Sequence, residues 1–307
     1  MNKALLFIFI TVLLDVIGIG IIIPILPSLI QELTQTNVSK AAGYAAGLIT
    51  TYSVMQLIFS PIIGGLSDQY GRRPVLLLAL LGFGLDYILL ALSTSIMWLF
   101  IGRMIAGIFG ASFTTAGAYI ADISEPEKRA QNFGVLGAAF GIGFIIGPAL
   151  GGMMAGFGLR APFWMSAALT LLNALYGYFI LPESLKKENR RKFSFREANP
   201  IGSIVKFSKY PVVAALLFCI FLLYMSNFAT QGTWSFYTIE RFAWTEWEVG
   251  LSLGFIGVMV AIVQGGAIRP IIKKLGQSKT LLIGLSLNFM GLFLFAIENE
   301  GWQMNAI

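Results

Sequence analysis

The sequence predicts an all-α polytopic membrane protein, and three observations carry that prediction. Of its 307 residues, 57% are hydrophobic and 12% charged, about half the charged share of a soluble domain. The apolar residues fall into runs near the length that crosses a hydrocarbon core of about 30 Å. Lys and Arg gather in alternate intervening segments, the asymmetry that sets membrane topology. A soluble globule with a mean hydropathy of +0.79 would expose more apolar surface than water tolerates. An unfolded chain of this composition would lack the polar groups that keep it solvated.

Nine spans are expected, near 4–30, 42–64, 75–93, 97–120, 132–155, 162–181, 210–236, 247–268 and 279–297. The first carries Pro24 and Pro27, which should kink or tilt it toward its far end. It is too long for a secretory leader, contains Asp15 and is followed by no small-residue cleavage site. Spans three and four are joined by a short turn and should be neighbours. The fifth is the most glycine-dense, with Gly134, Gly137, Gly141, Gly143, Gly147, Pro148, Gly151 and Gly152. Small residues let helices approach closely and Pro148 weakens the local ladder, so tight packing and a bending point both fit.

The segment 183–208 is the longest polar stretch and divides the spans six and three. The expected organisation is a six-helix bundle over 1–182, a cytoplasmic central loop over 183–208 and an incomplete bundle over 209–307. Residues 65–85 resemble 270–290 when slid by 205 positions, with Gly71 falling on Gly276. Two parallel halves are a recurrent transporter plan. A second half equal to the first would need about six spans, so the C-terminal part is expected to be missing.

With the N-terminus inside, the inner segments hold Lys3, Arg72, Arg73, Lys128, Arg129, the basic cluster from Lys186 to Lys209, Arg269, Lys273, Lys274 and Lys279. The outer loops hold only Lys40, Arg160 and Arg241. The membrane explains the net charge of +6, and no nucleic-acid partner is implied. The absence of histidine removes His-based metal sites, a Ser-His-Asp triad and a histidine pH switch. One cysteine, Cys219, leaves no internal disulfide and no Cys cluster. No G-x-x-x-x-G-K-[ST] run occurs, so ATP drive is unsupported, and no metal cluster, nucleophile–base pairing or phosphate-cradling Gly loop points to an enzyme or a cofactor.

Proton chemistry must then run on carboxylates, lysines or tyrosines. Ionisable residues within spans face a bundle interior or cavity, because a bare charge in lipid costs at least about 2.5–3.5 kcal/mol. Asp15 and Asp86 each lie about eleven residues into a span, roughly 16 Å deep. Arg103 enters span four at a depth matching Asp86, so the two are expected to pair. Gln56, Asn173, Asn227, Gln231, Gln264 and Asn288 lie within spans as interhelical hydrogen-bonders or cavity residues. Asp68 closes span two and should accept hydrogen bonds from amides at the next helix start, while Arg72 and Arg73 suit carboxylates or anionic head groups. Such a cluster should latch the two halves together while the cavity opens outward.

The run from Gly64 through Asp68, Gly71, Arg72 and Arg73 to Pro74 resembles the hallmark loop of the major facilitator superfamily. Arg103 with Gly107 and Gly110 resembles that family's span-four motif. Gly143, Gly147, Pro148, Gly151 and Gly152 resemble its antiporter motif. Closer still, residues 13–27, 67–78 and Leu85-Asp86-Tyr87 are similar to the tetracycline:proton antiporters. The resemblance implies a major facilitator-type helical bundle that exports a drug, a metal-chelated tetracycline, in exchange for protons. It would sit multi-pass in the bacterial inner membrane, N-terminus in the cytoplasm and in contact with lipid. The alternatives are export of another small amphipathic compound, or an inactive fragment. Carried over, Asp15 and Asp86 would couple protons and Arg103 would be the charge partner. Gly64, Asp68, Gly71, Arg72 and Arg73 would form the gate loop. Gln56 and Gln264 would line the cavity, with Asn227 and Gln231 as further polar candidates. Span nine offers Asn288 where the tetracycline exporters carry an Asp.

Overall fold

The structure, a computed structural model, describes residues 3–110, 112–195, 198–199, 210–297 and 300–305. Its helices are α1 (Lys3–Thr34), α2 (Val38–Tyr70), α3 (Arg72–Ala91), α4 (Ile96–Phe109), α5 (Ser112–Ile123), α6 (Arg129–Ala155), α7 (Ala161–Ile180), α8 (Pro211–Phe242), α9 (Glu246–Ile262), α10 (Ile268–Leu275) and α11 (Gln277–Ile297). The expected central loop falls partly outside the described residues, at 196–197 and from 200 to 208.

Eight helical stretches among the described residues are long and apolar enough to cross a membrane, not nine. The difference lies at 247–268. There α9, 17 residues long, runs without a break into a π turn, so the expected span is helical throughout and only its regular α part is short. That π turn, Val263–Ala267, then carries the chain into α10 with its Lys273 and Lys274. The span expected over 97–120 is divided between α4 and α5, and the Gly110 amide closes α4 by bonding to Ala106 O.

Local chemistry explains the helix ends. Asn37 caps α2 by accepting from the Lys40 amide at 3.0 Å. Thr245 and Glu248 form a reciprocal capping box on α9, satisfying two orphan amides. Gly71 joins α2 to α3 at φ 112°, and Gly276 joins α10 to α11 at φ 80°. Both occupy the left-handed region that side chains disfavour. Each amide bonds back four residues, to Ser67 O and to Ile272 O. The sequence repeat at 205 positions is thus the same turn built twice.

Two apolar clusters stack along the first seven helices. One gathers Phe7, Ile8, Leu76, Leu80, Tyr119 and Ala174 near the end that carries Arg72, Arg73 and Arg129, called here the basic end. The other gathers Ile25, Leu29, Leu48, Phe83, Leu99 and Phe163 toward the opposite end. Asp15 falls at the end of the first cluster's run on α1, and Asp86 within the second cluster's run on α3. Helix α6 runs between α1 and α9 and packs closely on both.

Candidate functional site

At mid-depth the structure brings four helices together around Asp86. Arg103 Nη2 of α4 donates to Asp86 Oδ2 of α3 at 3.2 Å. The Asp86 side chain is fully buried, and its Oδ1 has no hydrogen-bond partner among the described residues. A Cβ on Gly102 would lie 2.6 Å from that oxygen, so a side chain there would have to displace the carboxylate. Tyr87, buried and stacked on Phe83, aims its hydroxyl at Gly18, one turn beyond Asp15 on α1. Tyr52 of α2 and Tyr87 both feel the charges of Asp15, Asp86 and Arg103, which places the five groups in one electrostatic neighbourhood. Gln56, one helical turn after Tyr52, donates to the Tyr52 hydroxyl at 3.1 Å and to Gly110 O at 3.2 Å.

The two tyrosines are the members that sequence reasoning did not weigh. Tyr52 precedes Gln56 by four residues and shares its helix face, which was the available signal. The other polar candidates are placed apart from this centre. Gln231 Nε2 donates to Asn227 Oδ1 at 2.6 Å along α8. Gln264 falls within the π turn, and its side chain lies outside the described residues. Asn173 is buried and donates to Thr11 Oγ1 at 3.0 Å, joining α7 to α1.

The loop between α2 and α3 is held by a second charged network. Arg72 pairs with Asp68 at 2.5 Å through Nη1 and with Asp122 at 3.2 Å through Nε. Ser67 Oγ accepts from Arg72 Nη1, and Ser184 Oγ donates to Asp122. The expected cap of α3 needs correction. Glu183, not Asp68, accepts the Arg72 and Arg73 amides, at 2.9 and 3.3 Å. Asp68 sits in the last turn of α2, where its carboxylate reaches the Arg72 guanidinium first. Glu183 approaches from the loop and lies over the α3 terminus, where the helix dipole favours an anion. Gly71 is obligatory twice, because a Cβ there would also lie 2.2 Å from Glu183 Oε2. Gly64, by contrast, faces open space. Further along, the Arg191 amide bonds to Asp68 O and the Phe193 amide to Gln69 Oε1. Among the described residues, the loop's hydrogen bonds and ion pairs all run to residues 67–193, so it binds its own half and the start of the central loop here. Nearby, Lys128 donates to Glu125 at 2.8 Å, and that hydrogen bond holds the exposed carboxyl below its ordinary value.

The glycines of α6 divide by depth. Gly143, Gly147 and Gly151 press on the α1 backbone, where a Cβ would meet Leu13 O, Ile17 O and Ile21 O at 3.1, 2.9 and 2.3 Å. Gly152 meets Glu246 O, and Gly250 meets Pro148 O, both at 2.5 Å. Ser28 hydrogen-bonds Glu246 across the same end. Gly134, Gly137 and Gly141 face open space instead. Close packing on α1 and α9 therefore holds along α6 away from the basic end, and the α6 face that carries Gly134, Gly137 and Gly141 is mostly exposed.

The model of the Major Facilitator Superfamily matches residues 8–305. The chain belongs to that superfamily. It is 39% identical to the tetracycline resistance protein, class C, of Escherichia coli, over 98% of this chain and 76% of that one. It is 31% identical to multidrug resistance protein 2 of Bacillus subtilis (strain 168), over 88% of this chain and 66% of that one. Among solved structures, the human organic anion transporter MFSD10 (TETRAN) aligns with a TM-score of 0.68 at 27% identity. That alignment covers 88% of this chain and 72% of the other. Family and fold are those of a membrane transporter.

Proposed function

We propose that this protein is a drug:proton antiporter that exports tetracycline, carried as a metal chelate, in exchange for protons. The buried Asp86–Arg103 pair with an oxygen left over for a proton carries this reading, in a chain related to tetracycline resistance proteins. Protonation of Asp86 neutralises the carboxylate and leaves the Arg103 guanidinium without its counter-charge. The site then carries net positive charge and repels a cationic metal–drug chelate, so proton and drug exclude one another at one place. Asp15 supplies the second carboxylate, and Tyr52 and Gln56 present hydroxyl and amide groups to the cavity.

The gate loop from Gly64 to Arg73 binds within its half while the cavity is open at the basic end, and it releases toward the other half when the cavity reverses. The Gly143–Gly152 run of α6 forms the closing seam. The division into 1–182, 183–208 and 209–307 follows from the same scheme. The basic end faces the cytoplasm of a bacterial inner membrane, as the Lys and Arg asymmetry favours. The chemistry is transport with no covalent change in the drug, so the protein is not an enzyme.

Export of a different amphipathic drug is the second reading, favoured by the relation to multidrug resistance protein 2. Both are tested in a drug-sensitive bacterium expressing the gene, scored for tetracycline and for lipophilic cations. Tetracycline resistance that falls when divalent metal is chelated supports the first reading. Resistance to the cations alone overturns it in favour of the second.

A further inference from the structure

Away from the cavity, a cleft of about 420 Å³ opens at the basic end between α3 and α7, lined by Tyr70, Arg73, Leu77, Tyr178, Glu183 and Arg190. Its two guanidinium groups are only partly used. Arg73 Nη2 donates to Tyr178 O at 2.5 Å and the guanidinium lies 5.7 Å over the Tyr178 ring. Arg190 approaches Glu183 only to 3.9 Å. The Nε of Arg73 and the Nε of Arg190 are both buried, and neither has a hydrogen-bond partner among the described residues. Two buried N–H donors left over in one cleft are costly unless an acceptor enters it. Glu183 is already committed to the α3 amides and cannot serve both.

The setting says which acceptor. The α3–α7 flank above the cleft is a continuous apolar surface, with Leu78, Leu85, Leu172, Leu175 and Phe179 exposed. The helices after residue 210 pack mainly on α1, α2 and α6, so this flank faces lipid in a membrane-spanning chain. The exposed Tyr70 and Tyr178 stand where apolar flank meets charged loop, the level at which tyrosines anchor at the membrane interface. We infer that the cleft binds the phosphate of an acidic phospholipid headgroup, with Arg73 and Arg190 as donors and the acyl chains along the α3–α7 flank. A free phosphate would meet the same donors, but it would leave the adjoining apolar flank unused. The inference needs only the membrane location, and it stands or falls apart from the identity of the transported drug.

The test uses the purified, delipidated protein titrated with dioleoyl phosphatidylglycerol, dioleoyl phosphatidylcholine and inorganic phosphate, with bound lipid read by native mass spectrometry. The phosphatidylglycerol should bind saturably and in preference to the zwitterionic lipid. The Arg73→Gln/Arg190→Gln variant should weaken it roughly tenfold or more, as expected for two cations at a lipid surface. Lys273→Gln/Lys274→Gln, which removes equal charge from α10, should leave it unchanged. Parent-like binding by the double glutamine variant overturns the site, and so does equal displacement by inorganic phosphate. If the double variant does not fold, Arg190→Gln alone decides. Weakening of severalfold supports the site, and unchanged binding overturns it.

Discussion

Asp86 is the residue on which the proposed coupling turns, because it is wholly buried and its charge is balanced by one guanidinium. Removing one partner of such a pair strands the other, at about 3–5 kcal/mol. Arg103→Gln should therefore destabilise the protein by an amount on that order, and Asp86→Asn/Arg103→Gln should recover much of it. Thermal unfolding of the four proteins in detergent gives the cycle, and strict additivity would mean the pair is not coupled. Gly18 offers a second residue-scale test. An alanine Cβ there would lie 1.9 Å from the Tyr87 hydroxyl, so the ring must shift and overpacking should cost about 1–3 kcal/mol. Tyr87→Phe deletes that oxygen and should return part of the lost stability, with no return counting against the contact. Asp86 and Arg103 were visible in the sequence because midplane charges are rare and their depths match. Tyr87 was quoted there only within a tripeptide, since nothing in a sequence says that a tyrosine on α3 reaches a glycine on α1.

Among the elements, α3 depends on a cap supplied from more than a hundred residues away. Glu183→Ala should lower stability by about 1 kcal/mol, the usual worth of a lost N-terminal anion or cap. Melting temperatures of the parent and variant check this, and an unchanged value would reduce Glu183 to a surface acid. The helices themselves were legible, because apolar runs of membrane length leave few alternatives. The π turn at Val263–Ala267 was not, since a helix can widen there without any proline to announce it. Nor was the break near Gly110, where a glycine permits a bend but does not require one. The α6 glycines read equally as packing or bending in the sequence. Their neighbours decide for packing at one end, with Gly134, Gly137 and Gly141 open at the other. A valine at Gly152 should then hinder closure of that end. Cysteine pairs at 149 and 254, in a Cys219→Ser background, should cross-link in the parent and lose yield in Gly152→Val. Equal yields would contradict the seam.

At the scale of the whole molecule, the proposed antiport reading makes the end packed on α6 the closed side of an alternating cycle. On that reading the buried mid-depth cluster is reached from each side in turn, so its charge state and its access change together. That coupling, a carboxylate proton exchanged for drug, is the central claim. It is tested most directly by drug-dependent proton movement in inverted membrane vesicles carrying the protein expressed from its gene, energised by a pH gradient. The parent should release protons when tetracycline and divalent metal are added. Asp15→Asn should move drug without that proton response, and Asp86→Asn should lose most drug movement because Arg103 is left unpaired. If both variants still exchange protons for drug as the parent does, the carboxylate cluster is not the coupling site.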